Sequence, residues 1–356
     1  MTKVNEWKRW LRRIGYPEQP RAERRIPSGF AARQASNPAS KPFTIRNIGS
    51  GGLYLLTEER WPLGELIPLT LEVEGSPEKS SEYQIAVQAR VVWHGEDGIG
   101  LSFVLPSGVD TDLWDVLLRN VIVLTDPKDA LYTFRMLRTT LFLYRLCGAE
   151  AKEAILLLGE ELDQPRTENA LEIALGAEKL LASEPGADRM RAHPRVVASL
   201  LKYGSWAHDD LTKQLWVGLL ASSCTVEAPD DSNNVYVDLL VHVTPIQSRI
   251  FVTACKKVME VMSETRDLPS VRIIFTPEEM VRLTGIYDLS RLAVDIAYLF
   301  NSELLEKVFD FTSYIPTESF DITPSRLGLE LYKRCQGHRT QPHSARDVSE
   351  GAQPLP

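Results

Sequence analysis

The chain has 356 residues, which is enough for two domains with separate hydrophobic cores. Its formal net charge of −8 argues against a nucleic-acid-binding protein, because contacts to phosphate need a basic surface. The apolar runs are shorter than a membrane span and no signal peptide opens the sequence. We therefore expect a cytoplasmic protein without stable membrane insertion.

The cysteines and histidines do not have the spacing of metal ligands. No C-x-x-C pair occurs, and the histidines are scattered along the chain. We predict no metal site, no disulfide framework and no cofactor. The four cysteines are expected to be reduced residues of the core: Cys147, Cys224, Cys255 and Cys335.

Residues 4–14 have the pattern of a short amphipathic helix, and we assign residues 1–17 to this basic element. Trp7, Trp10 and Leu11 share one face, and basic side chains surround it. One interpretation is a helix that binds a membrane surface or a partner. The other is a helix that packs its tryptophans on the neighbouring domain. A few turns of helix anchor weakly without a lipid, which favours packing.

Three arginines follow in the segment Arg21-Ala-Glu-Arg-Arg25, between prolines that discourage a regular helix. A guanidinium group donates hydrogen bonds in pairs and stacks on rings, which suits phosphate groups and the acceptor edge of guanine. Alternatively, Arg24 or Arg25 only forms an ion pair with Glu23 or with a carboxylate on a strand. An exposed pair of that kind contributes about 0–1 kcal/mol.

The second candidate segment is the turn Asn47-Ile-Gly-Ser-Gly-Gly52, which opens directly onto a strand-like apolar run. Asparagine donates to and accepts from a base edge. Glycines let a flat ligand approach the backbone and leave amide groups free to meet it. The two segments together suit a ligand that combines guanine bases with phosphates. The candidate ligand-binding residues are Arg21, Arg24, Arg25, Asn47, Gly49, Ser50 and Gly52.

Apolar residues alternate with polar ones from Pro42 to residue 103, which predicts at least five short antiparallel strands. With no helix between them, the strands should form a small barrel or sandwich. An amphipathic segment at 110–120 is expected to cap it, so that the unit spans residues 18–125. The inward-facing set includes Phe43, Ile45, Ile67, Leu69, Leu71, Val73, Ile85, Val87, Ala89, Val91, Trp93, Ile99, Leu101 and Phe103.

From Asp126 onward the pattern is helical. We predict a helical connector at 126–189, an all-α domain at 190–336 and a disordered tail at 337–356. The expected helix starts are Asp126-Pro127, Asp209 next to His208, Thr244-Pro245, the capping box Thr276-Pro-Glu-Glu279, and Thr323-Pro324. The predicted fold class is thus α+β and multidomain, with a small antiparallel β-barrel before an all-α domain.

The N-terminal motifs resemble those of the PilZ domain, the bacterial receptor for cyclic di-GMP. This family has R-x-x-x-R about twenty residues before [D/N]-x-S-x-x-G and a small antiparallel barrel. Arg21 and Arg25 match the two arginines, whereas Asn47 and Gly52 match the ends of the second motif. The serine position is Gly49 here, and Ser50 lies one place later. The resemblance covers residues 18–108 and implies cyclic di-GMP as the ligand.

The C-terminal part resembles the abortive-infection alpha (Abi-alpha) type of helical domain. The similarity rests on the segments Leu215-Trp-Val-Gly-Leu-Leu-Ala221, Val243-Thr-Pro and Ile322-Thr-Pro…Leu327-Gly…Cys335. This resemblance implies a helical architecture rather than a particular activity.

Signatures of common enzymes are missing from the sequence. The segment Gly49-Ser-Gly51 is not a nucleophile elbow, because Ile48 occupies the first glycine position and a strand follows. No G-x-x-x-x-G-K phosphate loop occurs. We predict a receptor that is not an enzyme, in which cyclic di-GMP regulates a helical domain that binds an unidentified protein. The alternatives are a PilZ-fold adaptor without a nucleotide and, last, an enzyme in the helical region.

Overall fold

The computed structural model describes residues 30–35, 41–49, 51–73, 84–105, 127–226, 229–264, 272–306 and 319–339. The predicted helices at 4–14 and 110–120, and the tail beyond residue 339, lie outside the described residues. The structure consists of an antiparallel six-stranded barrel followed by a helical region. The predicted α+β class, with a small barrel before helices, is therefore confirmed. The proposed domain boundaries stay predictions.

The barrel has six strands: β1 Phe30–Gln34, β2 Phe43–Gly49, β3 Gly52–Leu56, β4 Leu66–Val73, β5 Gln84–His94 and β6 Gly98–Val104. They close in the order β1-β2-β3-β6-β5-β4, and every neighbouring pair is antiparallel. The sequence pattern did not predict β1, because Phe-Ala-Ala-Arg-Gln does not alternate between apolar and polar residues.

The interior of the barrel is filled by the alternating apolar side chains. Ile67, Leu69 and Leu71 are buried along β4, and Ile85 to Val91 repeat the pattern along β5. Burying a side chain of this size contributes about 1.5–3 kcal/mol, so the alternation is the main determinant of strand register. The period-two prediction is confirmed for these strands.

Two β-bulges change which side chains face outward. In β2 the register shifts between Ile45 and Asn47, so that Ile45 and Ile48 are both buried three residues apart. In β5 it shifts between Val91 and Trp93. The prediction that Trp93 points inward is wrong, because the bulge turns this side chain onto the outer face, where it is 44% exposed.

The direction of β1 determines where the N-terminal segment meets the barrel. Ala31 pairs with Thr44, and β1 runs antiparallel to β2. The chain therefore enters β1 at the end of the barrel where β2 finishes. The turn that contains Gly49 and Gly52 lies at this same end.

The helical region packs around a core of buried leucine, valine and aromatic side chains. A 3₁₀ segment (Gly148–Ala151) and a π-helical segment (Leu157–Glu161) interrupt its first part. The α-helices are Pro127–Cys147, Lys152–Leu156, Gln164–Ala182, Pro194–Gly204, Asp210–Ser222, Asn234–Val241, Pro245–Glu264, Pro277–Thr284, Leu289–Asn301 and Arg326–Cys335.

Most of the predicted helix starts are confirmed. The Asp209 side chain accepts from Thr212 N, and Thr276 forms a capping box with Glu279. The predicted start at Thr323-Pro324 is wrong, because Ser325 is the N-cap of the last helix and accepts from Gly328 N. The Thr323 hydroxyl instead accepts from Ile273 N and donates to Asp321.

The region that was predicted to be all-α also contains a two-stranded sheet, formed by β7 (Ile274–Phe275) and β8 (Phe320–Asp321). Strands of two residues are too short for a periodicity signal. Cys147, Cys224, Cys255 and Cys335 are free thiols, and all but Cys147 are buried, as predicted. Burial raises the pKa of Cys147 and of Cys224 to about 12, so both are protonated and unreactive at neutral pH.

Among the described helices, none has the length and hydropathy that a membrane span requires.

Candidate ligand-binding site

The candidate turn joins β2 to β3 at one end of the barrel. β2 finishes at Gly49, β3 begins at Gly52, and these two glycines pair with each other. The structure therefore brings Asn47, Gly49 and Gly52 together at this end. Of the other predicted site residues, Arg21, Arg24, Arg25 and Ser50 lie outside the described residues.

Gly52 is required by the packing of β3 against β6. A Cβ atom at this position would lie 1.9 Å from the backbone oxygen of Leu101 and 2.9 Å from its carbonyl carbon. Both neighbours are backbone atoms, so no side-chain rotation can relieve the collision. The shape of this turn therefore depends on glycine at position 52.

Gly49 and Gly51 have space around them. A Cβ atom at either position would meet no heavy atom within 4 Å, and neither residue has a positive φ. The turn therefore presents bare backbone to solvent at positions where a side chain would fit. A ligand with a flat face can approach the main chain here.

Asn47 follows the β2 bulge and pairs with Tyr54 on β3. Its side chain is half-buried and has no hydrogen-bond partner within the described part of the chain. The carboxamide can donate two hydrogen bonds and accept two. Asn47 is thus an open donor and acceptor next to the glycine turn.

Tyr54 and Trp93 form an aromatic pair on the outer face beside Asn47. Their ring centroids are 5.0 Å apart, and the planes are inclined by 29°. The indole lies flat against β6, because the Trp93 Nε1 atom is 2.0 Å from the place that a Cβ atom on Gly100 would take. Trp93 remains partly exposed, so its indole ring offers a planar apolar surface beside Asn47. The alternating sequence pattern had predicted that this ring lies in the core.

The Tyr54 hydroxyl donates to Asp97 Oδ1 at 2.8 Å, and Arg46 Nη1 donates to Asp97 Oδ2 at 2.9 Å. Burial of the tyrosine, followed by its hydrogen bond to Asp97, raises the pKa of Tyr54. The same hydrogen bond is the largest cause of the lowered pKa of Asp97. These groups satisfy one another and hold the aromatic pair in place.

The turn is also tied to β6. Ser102 Oγ donates to the Gly51 carbonyl at 3.1 Å, and the Phe103 amide donates to the same oxygen at 3.0 Å. The sequence pattern did not single out Ser102, because a serine in a strand is common and only the pairing of Gly52 with Ser102 brings it to the turn.

Groups of three or more acidic, histidine or cysteine side chains that could hold a metal ion do not occur among the described residues. The described residues of the candidate site offer backbone groups, the Asn47 carboxamide, the Ser102 hydroxyl and the ring of Trp93.

The N-terminal part of the described chain is thus a closed antiparallel barrel of six strands. Residues 19–119 match the family model described as the PilZ domain, and the chain thus contains a PilZ domain at its N-terminal side. PilZ domains form a family of cyclic di-GMP receptors and adaptors. No curated protein and no solved structure matches the chain. The matched segment ends at residue 119, so the resemblance of the helical region to Abi-alpha domains stays a prediction.

Proposed function

We propose that this protein is a receptor for cyclic di-GMP, in which the PilZ domain binds the nucleotide and the helical region transmits the bound state. The observation that carries the proposal is the position of Asn47, Gly49 and Gly52. They lie together at the end of the barrel where the chain enters β1.

The reach of the chain supports a joint site for both sequence motifs. Ala31 pairs with Thr44, and Gly49 is five residues further along β2, which corresponds to about 16 Å. The six steps from Arg25 to Ala31 span at most about 21 Å when extended. The arginines are therefore close enough in sequence to meet a ligand at the glycine turn.

The available groups suit cyclic di-GMP. Arginine donates paired hydrogen bonds to phosphate and stacks on guanine. The open carboxamide of Asn47 complements a guanine edge, and the bare backbone at Gly49 and Gly51 admits a flat base. The protein as a whole carries a net charge of −8, which disfavours a polyanion such as nucleic acid as the partner.

The test of ligand identity is calorimetric titration of the full-length protein with cyclic di-GMP, with GTP and cyclic AMP as controls. We expect saturable heat with cyclic di-GMP and much weaker binding of the linear nucleotide. Folded protein that gives no heat at high micromolar cyclic di-GMP would overturn the proposal. The adaptor function would then be favoured, and glycine at the serine position of the motif is the feature that supports it.

Regulation of the helical region is the finer part of the proposal. Charge-assisted contacts would order the segment around Arg21 and Arg25 and shift the population toward a closed form. Hydrogen exchange with and without ligand tests this coupling. Protection gained at 18–27 together with a change beyond residue 126 supports it, whereas protection confined to the barrel means that the two parts are only tethered.

Deletion of residues 1–15 separates binding from transmission. If this basic element carries the signal, the shortened protein should still bind the ligand but lose the ligand-dependent change in the helical region. We propose that a protein partner of the helical region reads this change in the cytoplasm and that the protein is not an enzyme.

A further inference from the structure

The barrel has an exposed apolar patch near one end of its outer face. Its four members are each 44–63% exposed and are Leu63, Leu66, Val92 and Trp93. Single exposed apolar residues are normal on a protein surface, whereas a contiguous group of them marks a site of interaction. The apolar patch is therefore a candidate docking surface.

Strand pairing brings three members of the apolar patch together. Leu66 on β4 pairs with Arg90 on β5, and Val92 lies two residues further along β5 on the same face. The bulge in β5 turns the next residue, Trp93, outward as well. The patch thus extends across the neighbouring strands β4 and β5.

The loop 57–65 carries Leu63 to the apolar patch. The Gly64 amide donates to the Val91 carbonyl at 2.8 Å, and the Val91 amide donates to the Glu65 carbonyl at 3.0 Å. These two bonds hold the residues that follow Leu63 against β5. The Leu63 side chain is therefore kept beside the strand members of the patch.

Acidic side chains are concentrated in the two loops beside the apolar patch. The loop 57–65 and the hairpin 94–98 lie together, because Arg60 donates to the Glu96 carbonyl at 3.1 Å. Arg60 and Arg90 donate to backbone carbonyl oxygens, so this surface stays acidic. An occupant with an apolar face and basic flanks is complementary to it. The acidic residues of the two loops are Glu58, Glu59, Glu65, Glu96 and Asp97.

The segment 4–14, which lies outside the described residues, has this chemistry. Its sequence predicts an amphipathic helix with Trp7, Trp10 and Leu11 on one face, and it carries four basic side chains and one glutamate. The amphipathic segment 110–120 also lies outside the described residues, but it carries three aspartates and one arginine. Acidic loops repel such a segment. Charge complementarity therefore favours 4–14.

The chain is long enough to bring 4–14 to the apolar patch. Phe30 pairs with Val73, and Leu66 is seven residues from Val73 along β4, which corresponds to about 23 Å. Residues 15–29 span up to about 50 Å when extended. Because this tether is covalent, docking is intramolecular, with an effective concentration of about 1 mM. A contact of modest affinity is therefore sufficient.

We propose that the basic helix at 4–14 docks on the apolar patch through the face that carries Trp7, Trp10 and Leu11. In the closed barrel, β4 and β5 lie across from β2 and β3, which form the glycine turn. The docked helix therefore leaves this turn accessible to a ligand. The proposal does not depend on the identity of that ligand.

The first test is disulfide formation in the full-length protein between Leu11→Cys and Leu66→Cys. The matched control combines Leu11→Cys with Thr44→Cys. Thr44 is exposed and pairs with Ala31, so a free tether reaches it at least as easily as it reaches the patch. We expect the disulfide to Leu66→Cys to form about fivefold faster than the control disulfide. Peptide mass spectrometry identifies the bonded cysteines.

Equal rates for the two cysteine pairs would overturn the proposal, because the helix would then be an undocked tether. Disulfides that form only between two chains would also overturn it, since the patch would then bind a second copy of the protein. Neither result would affect the proposed receptor function, which calorimetry tests separately.

The second test is hydrogen exchange at 4–14 in wild type, in the double variant Leu66→Ser with Val92→Ser, and in the control Val104→Ser. Val104 is an exposed apolar residue at the far end of β6, away from the apolar patch. We expect amides at 4–14 to exchange about tenfold faster in the double variant than in the other two proteins. Equally fast exchange in all three would overturn the proposal.

Discussion

The two ends of the barrel's outer face use polar groups in opposite ways. At the hairpin end, which we define as residues 94–98 with the loop 57–65, the polar groups pair with one another. Asp97 accepts from Tyr54 and Arg46, and Arg60 donates to carbonyls of both loops. At the turn end, defined as Asn47 to Gly52 with the neighbouring Ser102, the Asn47 carboxamide has no partner among the described residues.

This difference separates groups that stabilise the fold from groups that can bind. A polar group that is already satisfied gains little from a ligand, because it must first give up its partner. A polar group without a partner, next to bare backbone, does not have to break a hydrogen bond before it binds a ligand. We therefore expect substitutions at the hairpin end to change stability and substitutions at the turn end to change affinity, with Gly52 as the exception.

The largest effect is expected for Gly52→Ala. The added methyl group would collide with the backbone of Leu101, and this overpacking should lower the free energy of unfolding by about 3 kcal/mol. Chemical denaturation of the full-length protein measures it. Gly49→Ala is the matched control, because its methyl group would enter open space and should leave stability unchanged. Equal stability of both variants would show that β3 and β6 are not packed as described.

The next largest effect is expected for Arg21→Ala and Arg25→Ala, which should weaken ligand binding. Loss of a charge-assisted hydrogen bond weakens binding by about 2 kcal/mol, or roughly thirtyfold. The melting temperature without ligand should be nearly unchanged, because we expect these arginines to serve the ligand and not the fold. Calorimetry and thermal unfolding on the same samples check both statements. A variant that melts early and binds normally would assign these arginines to the fold instead.

A smaller change in affinity is expected for Gly49→Ser. The position has room for the side chain and no positive φ, so serine should not strain the turn. A new hydroxyl at the position where the PilZ motif has serine should tighten cyclic di-GMP binding by about 0.5–1.5 kcal/mol. Gly49→Ala serves again as the control and should bind like the wild type. Unchanged affinity of the serine variant would show that position 49 does not touch the ligand.

The smallest effect is expected at the hairpin end, from Asp97→Asn. The pKa of Asp97 is lowered, so the carboxylate stabilises the fold at pH values above its ordinary range near 4. This contribution is lost as the pH falls through the lower pKa of the folded state. The melting temperature of the wild type should therefore be slightly higher than that of the variant at pH 7, and the two should be equal at very low pH.

Glu96→Gln is the control for this pair, since it removes an acid from the same turn and Glu96 contributes only its backbone carbonyl to the network. Its melting curve should match the wild type at both pH values. A difference in melting temperature between wild type and Asp97→Asn that persists at low pH would contradict the role assigned to the carboxylate.

Local sequence patterns determined the positions of many strands and helices. The alternation along β4 and β5 specified the buried faces, and the capping residues Asp209 and Thr276 specified helix starts, because these signals depend on neighbours along the chain. The arginine segment 21–25 and the motif Asn47 to Gly52, at their spacing in the sequence, together indicated the PilZ domain.

Tertiary structure decided what depends on pairing between distant segments. The bulge in β5 turned Trp93 outward onto Tyr54, and alternation alone does not signal a bulge. Only strand register brings Ser102, which follows Gly52 by fifty residues in sequence, next to the glycine turn. The need for glycine at position 52, and the freedom at position 49, follow from how closely the backbone of β6 approaches each residue.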